Sequence, residues 1–194
     1  MAKTTKYDRQ KVIEKATNLY WKNGFHATSM RNLQDEIDMR PGSIYGAFGS
    51  KEGLFKEALR NYTDMALSQL QKCRDEHESV IDALKAFVKA QVIDTQTDAP
   101  NGMCMLAKTV GELTEENQDL IDTTKVHLGE IASKFILLIK EAQALGEIDK
   151  DKNVEDLAIH LQIQIAGLRT FGKMNNNKSL LNTKIEEVFT HYPF

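Results

Sequence analysis

Between Thr28 and Lys51 the chain reads TSMRNLQDEIDMRPGSIYGAFGSK, and no other stretch restricts the fold so tightly. Met30, Leu33 and Ile37 are spaced three and four apart, which predicts a short helix with one buried face, capped by Thr28 or Ser29. Asp38 follows where the chain must reverse, and Asp is one of the few residues besides glycine that tolerates a left-handed backbone. Pro41 disfavours helical geometry at Arg40 but suits a first helical position, so a second helix is expected from Pro41 to about Phe48. That helix would bury Ile44 and Phe48 and turn Gly42, Ser43, Tyr45 and Gly46 outward. Two short helices across a tight turn present the second one to a DNA groove, and a face of small groups with one aromatic hydroxyl suits close approach.

The run GSIYGAFGSKEGLF, with the preceding Gly24-Phe25 and Thr28, resembles the DNA-binding domain of the TetR/AcrR family of bacterial transcriptional regulators. The likeness covers roughly residues 8 to 60. It implies a homodimeric, all-helical regulator whose C-terminal domain binds a small molecule and thereby releases DNA. The sequence departs from the family pattern twice. Asp38 replaces the usual turn glycine, and Met39-Arg40-Pro41 opens the second helix where small polar residues are commoner. The second departure means that an operator sequence does not carry over.

Charge is divided along the chain. Residues 1–60 hold eleven Lys/Arg against seven Asp/Glu, a balance of +4, which leaves fourteen against twenty-one, or -7, for residues 61–194. A basic N-terminal part can neutralise phosphate while an acidic remainder keeps DNA off the other faces. With 194 residues and 41% hydrophobic content, one large or two small domains can hold a proper core. Prolines occur at 41, 100 and 193 and interrupt none of the long periodic stretches. No apolar run approaches the roughly 18 residues of a membrane span, and MAKTTKYDRQ carries no signal-type hydrophobic region. A cytoplasmic protein with no membrane contact is expected. Cys73 and Cys104 supply neither a disulfide framework nor a four-ligand zinc site, and neither a metal nor a cofactor is expected.

The fold expected is all-α: an N-terminal three-helix DNA-binding domain with a helix-turn-helix over 1–50, then a larger helical bundle over 51–194 that dimerises. Asp8 can cap a first helix to about Asn23, stopped by Gly24, with Phe25 plugging the core. Ser50 can cap a long connecting helix, Ser50–Arg74, that ties the DNA-binding part to everything after it. Further helices are expected from Ser79 to about Thr95, Met103 to Leu113, Glu115 to Ala144, 154 to 172, and 179 to 191. The helix over 154–172 is apolar on nearly all sides, so it needs cover on both: core on one side and a second subunit on the other, or a central place in a monomer. By resemblance, the last two helices form a four-helix dimer interface across a two-fold axis.

The DNA-binding residues expected are Thr28, Arg40, Gly42, Ser43, Tyr45, Gly46 and Lys51. Tyr45 can donate to phosphate while its ring packs on sugar, and Lys51 beside a helix N-terminus completes an anion site. Arg40, Ser43 and Gly46 are candidates for base edges, although Arg40 has the alternatives of phosphate or a pair with Asp38. Two-fold symmetry would set two reading helices about one DNA turn apart on a palindrome. An effector pocket is expected inside the bundle, walled by Phe87, Met103, Cys104, Leu106, Phe135, Leu138 and Leu168. His160, with His127 and Arg169, is placed to add a polar contact. Cys104 is either a small buried side chain or a reactive thiol favoured by its helix start and by Lys108. The resemblance allows the second, since some members sense electrophiles there. No phosphate loop, nucleophile elbow or carboxylate pair is recognisable, so catalysis is not expected. The competing reading is a thiol-dependent redox protein or enzyme centred on Cys104.

Overall fold

Asp8 opens the first helix, its carboxylate accepting from the Lys11 amide, and Gly24 ends it at φ 96°. The computed structural model describes residues 7–175, 177–190 and 193–194, with the backbone alone for 97 and 98. Every regular element among these residues is helical. Helix α1 spans Arg9–Asn23, α2 Met30–Ile37 and α3 Pro41–Phe48. Ser29, not Thr28, is the cap of α2: its hydroxyl and Asn32 satisfy one another's backbone amides in a capping box. Asp38 takes the left-handed conformation at φ 55°. Helix α4, Lys51–Glu76, starts under Ser50. Gly53 is required there because a Cβ would meet the Phe48 carbonyl oxygen at 2.0 Å, so α3 can close onto α4 only without a side chain at that point.

Helix α5, Val80–Lys89, does not simply run on to Thr95. It passes through a π-helical turn, Ala90–Asp94, into a last turn α6, Thr95–Asp98. Helix α7 is shorter than expected, Met105–Glu112, with Cys104 just ahead of it as N-cap. Then follow α8, Gln118–Ala144, preceded by a 3-10 turn at Glu115–Asn117, α9, Val154–Met174, and α10, Lys178–Thr190. His191, expected to close the last helix, lies outside the described residues.

Two apolar cores share α4. One joins α1, α2, α3 and the first half of α4, with Trp21, Phe25, Leu33, Ile44, Phe55 and Leu59 buried in it. It also takes in Met105 and Leu106 of α7 and Leu120 of α8, so the N-terminal head is packed onto the segment behind it. The other joins the end of α4 to α5, α8, α9 and α10 around Leu84, Phe87, Phe135, Ile139, Leu161 and Leu181. Helix α9 is covered on one side only. Leu157 and Leu161 are buried, whereas Ile159, Ile163 and Met174 are 52%, 62% and 76% exposed, so it is not the central helix of a monomer. Among the described residues no helix is long and apolar enough to cross a membrane.

Candidate nucleic-acid interface and the cavity behind it

Helix α3 is anchored by Ile44, which is fully buried, and by Phe48, half-buried beneath the Arg9 guanidinium at 5.2 Å. Its other side is bare: Arg40, Pro41, Gly42, Ser43, Tyr45 and Gly46 are all exposed. Glycine in a helix interior costs about 0.5–1 kcal/mol relative to alanine. At Gly42 and Gly46 the fold does not ask for it, since the backbone is helical and a Cβ would meet nothing within 4 Å. The smallness of this face is therefore not required by the fold. Among the described residues no ion pair joins Arg40 to Asp38, and the arginine stands at the helix start with its side chain in solvent.

Two of the expected DNA contacts are turned inward. Thr28 is buried, its hydroxyl donating to the Gly24 carbonyl at 2.6 Å, so it braces the turn between α1 and α2 and presents no group outward. The Lys51 ammonium donates to the Phe25 carbonyl at 2.7 Å and sits 4.2 Å over the Phe25 ring. Burial pushes its pKa down, against the raising influence of Glu52 and Glu112. The lysine stitches α4 to the α1–α2 turn; what it leaves beside α3 is the amide-lined start of α4.

A second set of contacts ties this head to α7. Glu112 accepts from the amides of Phe25 at 3.2 Å and His26 at 2.7 Å, beneath Gly24, where a Cβ would lie 2.2 Å from its carboxylate. Lys108 donates to the carbonyls of Trp21 and Lys22, so its charge belongs to the end of α1 and not to Cys104 as the sequence suggested. The Trp21 indole donates to the Met103 carbonyl at 2.7 Å.

Behind that segment lies a cavity of about 70 Å³ between α4, α5, α7, α8 and α9. Of the seven residues expected to wall a pocket and His160, Phe87, Cys104 and Phe135 line it, in the company of Tyr62, Gln91, Ile131 and Arg169. The other five do not. Leu106 faces the N-terminal core, because α7 turns its buried side toward the head. Met103 offers its backbone carbonyl. Leu138 and Leu168 are ordinary members of the C-terminal core. His160 is nine positions before Arg169, about half a turn round α9 and roughly 13 Å along it, and its ring lies 6.0 Å from Phe194. Burial lowers its pKa, and its Nε2 has no partner among the described residues.

Arg169 is 1% exposed and reaches four neutral acceptors: its Nε donates to Gly102 O, Nη1 to Tyr62 Oη and Gln91 Oε1, and Nη2 to Met103 O, all at 2.9–3.1 Å. Tyr62 is buried, and burial drives its hydroxyl well above the usual tyrosine range, with Cys104 adding to the rise. A neighbouring groove of about 340 Å³, between α1, α4 and the π turn, shares Tyr62, Ala66 and Gln91 with the cavity. Tyr62 and Gln91 escaped the sequence reading: the tyrosine sits on a regular apolar stripe, and Gln91 is brought inward by a π turn that periodicity does not signal.

A reading helix with a bare face, held by two more helices and tied to a helical bundle, defines a DNA-binding regulator of the helix-turn-helix class. Comparison with known proteins makes this specific. Residues 12–58 match the family of bacterial regulatory proteins called the tetR family, and residues 80–187 match the tetracyclin repressor-like C-terminal domain. The chain belongs to the TetR family of transcriptional regulators. It is 29% identical over 164 residues to the transcriptional repressor ComR of Escherichia coli K12, covering 84% of this chain and 78% of ComR. The repressor BdcR of the same organism is 40% identical over 53 residues, 27% of each chain. Among solved structures, a cysteine mutant of the TetR family regulator CifR in complex with 26-base-pair operator DNA superposes with a TM-score of 0.88 at 25% identity, covering 98% of this chain and all of that one.

Proposed function

We propose that this regulator is a repressor that binds a palindromic operator as a homodimer and leaves it when a small apolar or electrophilic effector enters the cavity. The observation that carries the DNA reading is the face of α3, where two glycines that the fold does not need keep the helix slim beside an exposed Tyr45. On this reading Tyr45 donates to phosphate, Gly42 and Gly46 let the backbone approach, and Ser43 and Arg40 reach base edges, with a bidentate arginine–guanine contact worth about 1–3 kcal/mol of discrimination. Thr28 and Lys51 act as positioning residues for the α1–α2 turn. The head would comprise residues 1–50, with 51–194 receiving the effector and dimerising.

The dimer is assigned to α9 and α10. Ile159, Ile163 and Met174 form an exposed apolar row on α9, and Gly167 beside it has open space at its Cβ, which admits a second helix closely. The likeness to the repressor ComR and the operator DNA bound to CifR support repression and duplex binding here. Selection from random duplex DNA tests the proposal. The expected product is a two-fold symmetric motif with half-sites about one turn apart; a folded, ligand-free protein that enriches no motif would refute it.

A further inference from the structure

Of the six arginines, Arg31 and Arg40 lie exposed to solvent, and the other four divide in an unexpected way. Arg9, Arg60 and Arg74 are partly exposed, and each pairs with a carboxylate: Glu57, Asp64 with Glu130, and Glu141. Arg169, the most deeply buried, pairs with none among the described residues. A guanidinium stays charged in any protein. Its neutral acceptors satisfy hydrogen bonds and the Trp21 ring lies 5.7 Å from its guanidinium carbon, but among the described residues no counter-charge meets it, an arrangement that burial makes costly. One Nη2 hydrogen also remains without a partner among the described residues, since four of five donors are used. The charge borders a cavity whose other walls include Phe87, Leu128, Ile131, Phe135 and Ile165. A π turn, a feature frequent at functional sites, brings Gln91 to it.

We propose that the cavity receives a monocarboxylate with an apolar body, its carboxylate on the Arg169 guanidinium and the hydrocarbon next to it against the aromatic and branched walls. This deepens the regulator reading, on which it rests, by assigning the effector a chemical class. Carboxylate and guanidinium match in a bidentate geometry, and the pair gains strength where water is excluded. The cavity takes the acid group and the carbons next to it; the rest of the body extends past Tyr62, Ala66 and Gln91 toward the adjoining groove. The same contact starts the signal. Arg169 now holds the carbonyls of Gly102 and Met103, and Met103 also accepts from Trp21. An anion that draws the guanidinium away loosens the segment leading into α7, and α7 carries the Lys108 and Glu112 contacts that fix the end of α1.

The test uses the full-length protein with octanoate and phenylacetate, each beside its neutral amide, and reads the melting midpoint and the affinity for the selected operator. Both acids are expected to raise the melting midpoint and to weaken operator binding about tenfold, a usual size for coupling between two sites, while octanamide and phenylacetamide do neither. Arg169→Met, which lacks the contacts to Gly102 and Met103, is expected to bind the operator about tenfold more weakly without any acid and to lose the response to acids. Should that variant not fold, the acid–amide pairs on the unmodified protein decide alone. Amides equal to acids, or acids that leave the melting midpoint unchanged in a protein that still holds its operator, would overturn the anion site and spare the regulator. A protein that acids stabilise but that enriches no duplex would keep the site and lose the regulator.

Discussion

Ala58 and Ala66 lie eight positions apart on α4, about two turns, yet their neighbourhoods are opposites. Ala58 is fully buried in the N-terminal core between close-packed aromatics; Tyr20 meets Phe55 edge-on at 4.7 Å between ring centroids. Ala66 borders both the cavity and the groove beside it. One helix therefore runs from a filled core to a partly empty one. At the filled end α3 is anchored by Ile44, buried in that core. The empty end keeps a buried charge and a void, which lower stability and leave room for a guest. Between them, Met103, Lys108 and Glu112 make the hydrogen bonds that join the two ends, and on the proposed reading a change at one end reaches the other through them.

The contrast is open to direct attack. Leu33→Ala, in the filled core, is expected to destabilise the protein by about 2–5 kcal/mol in chemical denaturation, whereas Ile131→Ala at the cavity wall costs well under half as much. Enlarging the two alanines reads the difference with the opposite sign of volume. Ala58→Leu overpacks and is expected to cost about 1–3 kcal/mol; Ala66→Leu enters existing space and leaves the melting temperature within a degree or two of wild type. If the two leucines cost the same, the cores do not differ as described. Glu112→Gln keeps shape but removes the charge beneath the Phe25 and His26 amides, so about 1–2 kcal/mol of stability is expected to go, together with a weaker influence of ligand on DNA affinity. The smallest effect concerns pH. Burial lowers the pKa of His127, with Arg60 adding to it, and of His160. The unfolded chain therefore binds more protons than the folded one below the ordinary histidine value of about 6.5, and stability falls as pH drops through that value toward the lower folded ones. Melting curves between about pH 7 and pH 5.5 should show the decline, and His160→Phe should flatten it.

How much of this was legible in the sequence follows the same division. The head was readable because its signals are local: Asp8, Ser50 and Gly24 as caps and stop, Asp38 at the reversal, Pro41 at the helix start. Motif position says nothing of which way a side chain turns: Thr28 and Lys51 sit beside the reading helix but hydrogen-bond into the fold. In the bundle, apolar periodicity located helices and identified α9 as needing cover on two sides. It could not separate cavity wall from plain core, since Phe135 and Leu138 are chemically alike and differ only in what faces them. The π turn and the convergence of Tyr62, Gln91 and Arg169 arise from residues 29 to 107 positions apart, beyond any local pattern.

On the proposed reading, α3 is slim for the sake of DNA and not for the fold. Gly46→Leu examines it in one stroke, because a side chain there meets nothing within 4 Å of its Cβ and improves helix propensity by about 0.5–1 kcal/mol. The affinity of this variant for the selected operator should be measured beside its melting temperature. The account predicts a melting temperature equal to or above wild type with operator binding abolished; a variant that melts the same and binds the operator as tightly as wild type would contradict it.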